Sequence, residues 1–372
     1  MEELSTWLRQ AFIQLIADQT GLEIKEHDQA ALGEKIHQRM KALELNRPEY
    51  YYQLLVSHTV ESEQEWQAFI VLLTNLESFF FRDQGQFSLL RKQILPQLIQ
   101  RKQSQKILRL CSAGCSTGEE PYSLAILLKE LIPDLEQWNL LILGVDINAV
   151  ALEKAREGIY RSWSLRGVDQ VILQKYFQLE DNQYRLNHEI KQMVSFETAS
   201  LVKDPVFKPN SKLREMDLII CRNVFIYFET SAIAKVLEKF YKLLQPSGYL
   251  LTGHSELHEQ NLDQFETKVF PESVIYQRSA KPPIESYGTE SYRTPLSSQS
   301  THPYPEDAPV ESPDLKLETS FKSKHLKMQQ AALALLKQLP ANTKIARLNN
   351  LTAAELITHL ELELNSADLH TP

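Results

Sequence analysis

Residues 111–123 read CSAGCSTGEEPYS, and they place two glycines, Gly114 and Gly118, between a strand-like apolar run and a helix-like one. In a doubly wound sheet the first strand-to-helix turn is glycine-rich because the backbone has to come close to a ligand beyond the strand ends. The residues that follow are Glu119 and Glu120. Two carboxylates at a helix start repel the pyrophosphate that such an end otherwise attracts, and the dinucleotide spacing GxGxxG is absent. S-adenosylmethionine, with an ammonium and a sulfonium, has the opposite need: close approach at glycine and a carboxylate nearby. Capping of the helix through its dipole, with Pro121 in the first turn, is the competing use of the same two acids.

Two further positions belong with that turn. The run LLILGVDINAVALEKARE ends its apolar part at Asp146, where an acid after the second strand accepts hydrogen bonds from both ribose hydroxyls. Capping of the next helix is its alternative use, for which Asn148 is better placed. The run DLIICRNVFIYF ends a strand at Cys221 and puts Arg222, Asn223 and Tyr227 at its exit. That end of the sheet is where ligands bind, and an exposed Arg-Asn pair there has no packing reason visible in the sequence.

The elements that must position these residues fall into a simple order. The chain has 372 residues, 43% hydrophobic and 24% charged, the composition of a soluble globular protein with more than one domain. Residues 1–104 repeat apolar positions at helical spacing, as in WLRQAFIQLI and EQEWQAFIVLL, and read as an N-terminal helical domain. Residues 105–279 alternate strand and helix patterns, the order of an α/β doubly wound sheet. Residues 158–196 interrupt it with a polar turn between short strands, a small antiparallel β insertion. Residues 280–324 are rich in Pro, Ser and Thr and read as a disordered linker, and residues 325–372 as a short helical tail.

Composition also sets aside several partners. A formal net charge of −8 disfavours nucleic acid, no apolar run is long enough to span a membrane, and the first residues are not a secretory signal. A cytoplasmic location follows. Cys111, Cys115 and Cys221 lack the spacing of a zinc site or a disulfide framework and read as small apolar residues, so no metal is expected. His254, in GHSE, reads as a structural histidine at a strand end.

With five stretches in order, ESFFFRD, CSAGCSTGEEPYS, GVDINAVALEKAREGIY, DLIICRNVFIYF and GYLLTGHSE, the chain resembles the CheR-type chemotaxis receptor methyltransferases. The resemblance covers residues 4–278. It implies a helical domain before a class I methyltransferase domain that uses S-adenosylmethionine, leaving S-adenosylhomocysteine, to methylate glutamates on receptor helices. It further implies that the enzyme acts as a monomer, that Leu76, Ser78 and Arg82 reach the cofactor from ESFFFRD, and that Gly114, Glu119 and Asp146 hold it. Ser200, Leu201, Arg222 and Asn223 complete the implied cofactor set, while Arg82 and Tyr227 are the implied catalytic pair. An ion pair that glues domains together is the alternative role for Arg82.

This chain departs from the family where Leu76 and Ser78 stand in place of an asparagine and a threonine, and where Ser200 replaces the asparagine of an Asn-Leu pair. Phe79, Phe80 and Phe81 read as domain-interface packing that sets the angle of Arg82. In LGEKIHQRMKALEL, Leu32, Ile36, Met40 and Leu43 form an apolar stripe, with Lys35, Arg39 and Lys41 on a basic edge that either receives an acidic helix or is simply solvated. Two rival functions remain at this level: an adaptor that senses S-adenosylmethionine without catalysis, and a methyltransferase for small molecules or RNA.

Overall fold

The structure, a computed structural model, describes residues 4–203, 213–258 and 260–279. The expected linker and helical tail lie outside the described residues. Four helices open the chain: α1 (Thr6–Thr20), α2 (Gln29–Ala42), α3 (Pro48–Val56) and α4 (Val60–Leu73). Each start has a local cause. Ser5 caps α1 by accepting from Leu8 N–H, Thr59 caps α4 by accepting from Ser62 N–H, and Pro48 opens α3. Their apolar faces meet in one core, with Phe12, Ile16, Ile36, Tyr51, Leu55 and Phe69 fully enclosed. The stripe read on α2 is part of it: Leu32, Ile36 and Met40 are buried and Leu43 packs against them. Its basic edge is smaller than the sequence suggests, because Arg39 forks onto Glu65 with both bonds at 2.8 Å.

Two more helices, α5 (Gln84–Leu89) and α6 (Leu95–Lys102), are joined by one wider turn. They are helical, as expected up to residue 104, yet Leu90, Ile94, Leu95 and Leu98 pack with the sheet rather than with α1–α4. The helical domain's own core thus ends near residue 74, and the boundary near 104 marks only where helix gives way to strand.

The second half alternates as the sequence implies: β1 (Ile107–Ala113), α7 (Glu119–Leu131), β2 (Asn139–Asp146) and α8 (Ala149–Glu157). The insertion follows with β3 (Ile159–Tyr160), α9 (Gln170–Tyr176), β4 (Phe177–Glu180), β5 (Gln183–Leu186) and α10 (His188–Gln192). Then come β6 (Val194–Thr198), β7 (Met216–Cys221), α11 (Thr230–Leu243), β8 (Leu244–Thr252), β9 (Phe265–Val269) and β10 (Val274–Arg278). The main sheet has seven strands in the order β6-β2-β1-β7-β8-β10-β9, and the insertion forms a separate antiparallel sheet β3-β5-β4. Residues 194–196, expected inside the insertion, pair parallel with β2 and belong to the main sheet. The sheet is mixed rather than wholly parallel, since β10 runs antiparallel to both β8 and β9.

Strand β1 shows how the sheet is covered on both faces. Leu108 and Leu110 enter one core, shared with α6 and α7, while Cys111 and Ala113 enter the other, shared with α11, as period-two alternation requires. The strand order reverses at β1, where β2 lies on one side and β7 on the other, so a crevice opens beyond Ala113 and Asp146. Among the described residues no helix is long and apolar enough to cross a membrane.

If α6 belongs to the sheet core, truncating fully buried Leu98 to alanine should lower the unfolding free energy by roughly 2–5 kcal/mol. Urea unfolding followed through the sheet domain reads this directly. A loss below about 1 kcal/mol would contradict the assignment.

Candidate active site

At the switch point the glycine turn brings two loops into contact. Gly114 has φ +74°, and a Cβ there would stand 2.3 Å from Val224 Cγ2, so the loop after β7 approaches through the missing side chain. Asn148 caps α8, its Oδ1 accepting from Ala151 N–H at 3.0 Å. That leaves Asp146 free of the capping role. Its carboxylate accepts from Ser116 N–H at 2.7 Å and from Asn148 N–H at 2.8 Å, and it faces a cavity of about 320 Å³. Burial raises its pKa above the usual carboxylate range, opposed by the backbone bonds that favour the charged form.

The two acids of the turn part ways, because adjacent helical residues point about 100° apart. Glu120 lines the cavity and accepts from Ser112 Oγ at 2.7 Å and Arg222 Nε at 2.9 Å. Glu119 does not line it: the side chain is buried behind the wall, accepting from Thr117 Oγ1 at 2.7 Å and Ser164 Oγ at 3.0 Å. Burial raises its pKa too, with those hydroxyls and Ser78 pulling the other way.

Arg222 is neither exposed nor idle. At 6% exposure its guanidinium bonds Glu120, then Gln86 Oε1 at 3.0 Å and the Arg82 carbonyl at 2.6 Å, and it lies over the Phe87 ring. The packing reason absent from the sequence is therefore supplied by α5 and the preceding loop. Asn223 beside it has φ +58° in the left-handed region, which asparagine tolerates better than most residues. Glu256 fastens the same loop by accepting from Val224 N–H at 3.1 Å and Gly253 N–H at 2.6 Å.

Loop 75–83 closes the cavity from the other side. Phe80 is buried against Tyr160 and Phe177, Phe81 stacks edge-on to Phe87, and Phe81 N–H bonds Ser123 Oγ at 3.0 Å. The three phenylalanines thus seat the loop on α7 and the insertion rather than on α1–α4. Phe81 and Asp83 both have φ in the left-handed region, at +54° and +65°, a strain of about 1–3 kcal/mol each that the anchored neighbours hold in place. Arg82 is delivered to the cavity wall, where Nη1 donates to the Glu77 carbonyl at 3.2 Å and the guanidinium lies 5.5 Å from the Phe79 ring. His254 lies 2.7 Å from Asp83, which also caps α5.

Tyr227 comes from a short turn after β7, and Asn75 Nδ2 donates to its hydroxyl at 3.4 Å. Its backbone is gripped by the helical domain, since Glu23 N–H donates to Tyr227 O at 2.8 Å and Leu22 bridges Phe228. Of the expected residues, the structure gathers Leu76, Ser78, Arg82, Gly114, Asp146, Leu201, Arg222, Asn223 and Tyr227 around one cavity. Ser200 is not among them; its hydroxyl donates to the Gln19 carbonyl at 3.0 Å. Five acidic lining residues, Glu23, Asp28, Glu77, Glu120 and Asp146, face three basic ones, Lys35, Arg82 and Arg222. That balance suits a cationic ligand, and Asp146 at the strand end suits a diol.

Residues 9–74 match the CheR methyltransferase all-alpha domain, and residues 76–274 match the CheR methyltransferase SAM binding domain. The chain belongs to the CheR methyltransferase family. Chemotaxis protein methyltransferase 2 of Vibrio cholerae is 33% identical over 263 residues, 70% of this chain and 89% of that protein. The chemotaxis protein methyltransferase of Escherichia coli is 34% identical over 248 residues, 65% of this chain and 82% of that one. The division between the two CheR domains falls at residue 75, where the packing also changes.

S-adenosylmethionine is the cofactor of this CheR domain, and the residues present fit it: close backbone at Gly114, a carboxylate at Asp146 and an acidic wall. Sequence reasoning missed Glu120 as the lining acid and Ser116, whose N–H orients Asp146. The only signal for either was position in the glycine turn.

We expect Asp146→Ala to weaken S-adenosylmethionine binding by roughly 1–3 kcal/mol in titration calorimetry. Unchanged affinity in a folded variant would remove Asp146 from the site. The pH dependence has a definite sign. Ribose hydroxyls donate to the ionised carboxylate, so binding lowers a pKa that burial has raised in the free protein. Affinity should be full above that raised pKa and fall by up to about tenfold per pH unit as the pH drops through it, with the fall absent in Asp146→Asn.

Proposed function

We propose that this protein transfers a methyl group from S-adenosylmethionine to glutamate side chains on the cytoplasmic helices of chemotaxis receptors, acting as a monomer in the cytoplasm. The observation that carries the reading is the convergence of Arg82, Tyr227 and Asp146, from three separate segments, on one cavity. The names of the relatives support the receptor as substrate.

A glutamate carboxylate has a reference pKa near 4.3, so the nucleophile is ionised at neutral pH and needs no general base. Bound in the cavity, S-adenosylmethionine supplies an electrophilic methyl group. The residues of the chain then have one principal task, alignment, which contributes on the order of 7–11 kcal/mol when geometry is ideal. Arg82 presents a planar fork that holds both carboxylate oxygens of the incoming glutamate. Tyr227, 42% exposed at the rim, offers its hydroxyl on the side of the transferred methyl. Asp146 and the Gly114 backbone hold the opposite end of the cofactor. Loop 75–83 forms one side of the cavity and brings Leu76, Ser78 and Arg82 to its lining.

The product distinguishes this reaction from other methylations. Incubation with radiolabelled S-adenosylmethionine and a receptor cytoplasmic fragment, followed by alkali, should release volatile labelled methanol from glutamyl methyl esters. Base-stable label on the fragment, or no label at all, would contradict the proposal. With the same assay at saturating substrates, Arg82→Lys keeps the charge and loses the fork, so turnover should fall by roughly 10- to 100-fold, about 1.4–2.7 kcal/mol of barrier. Normal turnover in that variant would remove Arg82 from the aligning role.

A further inference from the structure

Arg82 touches two things with its side chain: the Glu77 carbonyl and the Phe79 ring. A second arginine, Arg166, holds the same two residues from the insertion. Its Nη2 lies 3.1 Å from Glu77 Oε1 and its guanidinium 3.6 Å from the centre of the Phe79 ring. Arg166 is itself fixed, stacked 4.0 Å from the Trp163 ring and donating to the Trp163 carbonyl at 2.8 Å. A planar guanidinium between two aromatic rings, with one ion pair at its edge, has few alternative orientations. Beyond the ring, Gln84 Nε2 donates to the Gly167 carbonyl at 3.2 Å, so a second bond ties the insertion to the far end of the same loop.

We propose that Arg166 is a positioning residue for methyl transfer: it immobilises Glu77 and Phe79 and thereby fixes the guanidinium of Arg82. The inference rests on the aligning role given to Arg82 above. It assigns the insertion a part in the catalytic step, through loop 75–83, where Phe81 and Asp83 take left-handed backbone conformations. Arg166 does not line the cavity. Its loss should therefore act on turnover and leave cofactor affinity unchanged.

The test is a double-mutant cycle on kcat with the full chain, labelled S-adenosylmethionine and a receptor fragment. Arg166→Ala should lower kcat by about tenfold, with less than twofold change in the KM for the fragment and in calorimetric S-adenosylmethionine affinity. Arg166→Lys keeps the pairing with Glu77 and loses the planar stack, so its kcat should fall between wild type and Arg166→Ala. In the Arg82→Lys background, Arg166→Ala should cost less than about threefold, because the geometry it maintains is already lost. The same tenfold cost in both backgrounds would show that Arg166 acts independently of Arg82 and overturn the proposal, as would full activity in Arg166→Ala. If Arg166→Ala does not fold, as judged by its thermal melt, the cycle is run with Arg166→Lys and the same criterion of non-additivity decides. Undiminished turnover in Arg82→Lys alone would instead strike the underlying reading of Arg82 and take this inference with it.

Discussion

The site depends on one buried charge. The Arg222 side chain is 3% exposed and pairs with Glu120, itself 14% exposed, in the first turn of α7. A guanidinium without partners at such depth would cost several kcal/mol, and three of its N–H groups are met by three different segments. Glu120 belongs to the glycine turn, Gln86 to α5, and the Arg82 carbonyl to the loop that closes the cavity. Gln86 extends the tie by donating to Thr252 O and Ser273 Oγ, both at 2.8 Å. The ion pair is thus an assembly device: satisfying one cation draws the ends of β7 and β8 and the start of α5 into a single register around the crevice.

The helical domain completes what that tie begins. Gly21 at the end of α1 has φ +82°, and a Cβ there would meet Val202 at 2.6 Å and Phe228 at 2.9 Å, so the two domains approach through this position. Backbone bonds in both directions follow, from Glu23 N–H to Tyr227 O and from Glu229 N–H to Gly21 O. Thr74 Oγ1 accepts from Asn148 Nδ2, and Leu76 O accepts from Ser116 Oγ, at the edge nearest Asp146. Contacts between domains therefore flank the cavity at Gly21 and at Thr74, and the residue at the rim, Tyr227, has its backbone held from outside the sheet.

What was legible in the sequence follows from the range of the interactions. The strand and helix periods, the glycine turn, the Asn148 cap and the acid at Asp146 are set by neighbours a few residues away, and all stand where expected. The choice between Glu119 and Glu120 was not legible, because both open the same helix and only the tertiary partners Arg222 and Ser164 decide which one faces the cavity. Arg222 read as exposed because its partners lie more than a hundred residues away in the chain. The allegiance of α5 and α6 was hidden for the same reason: an amphipathic pattern says that a face is buried but not against which core. The resemblance to a family supplied Arg82, which no local pattern would have singled out, and the catalytic role of Tyr227, which the sequence itself placed only at a strand exit.

On this reading Arg222 holds the closing loop in place. Hydrogen exchange in a folded Arg222→Lys variant measures that hold, since lysine keeps the charge but cannot reach three partners in one plane. Amides in residues 80–87 and 223–226 should exchange at least about tenfold faster than in the wild type, while those of β1 and β2 stay protected. Unchanged exchange across both segments would contradict this and leave the loop anchored by its aromatic packing and its bonds to Ser123 and the insertion.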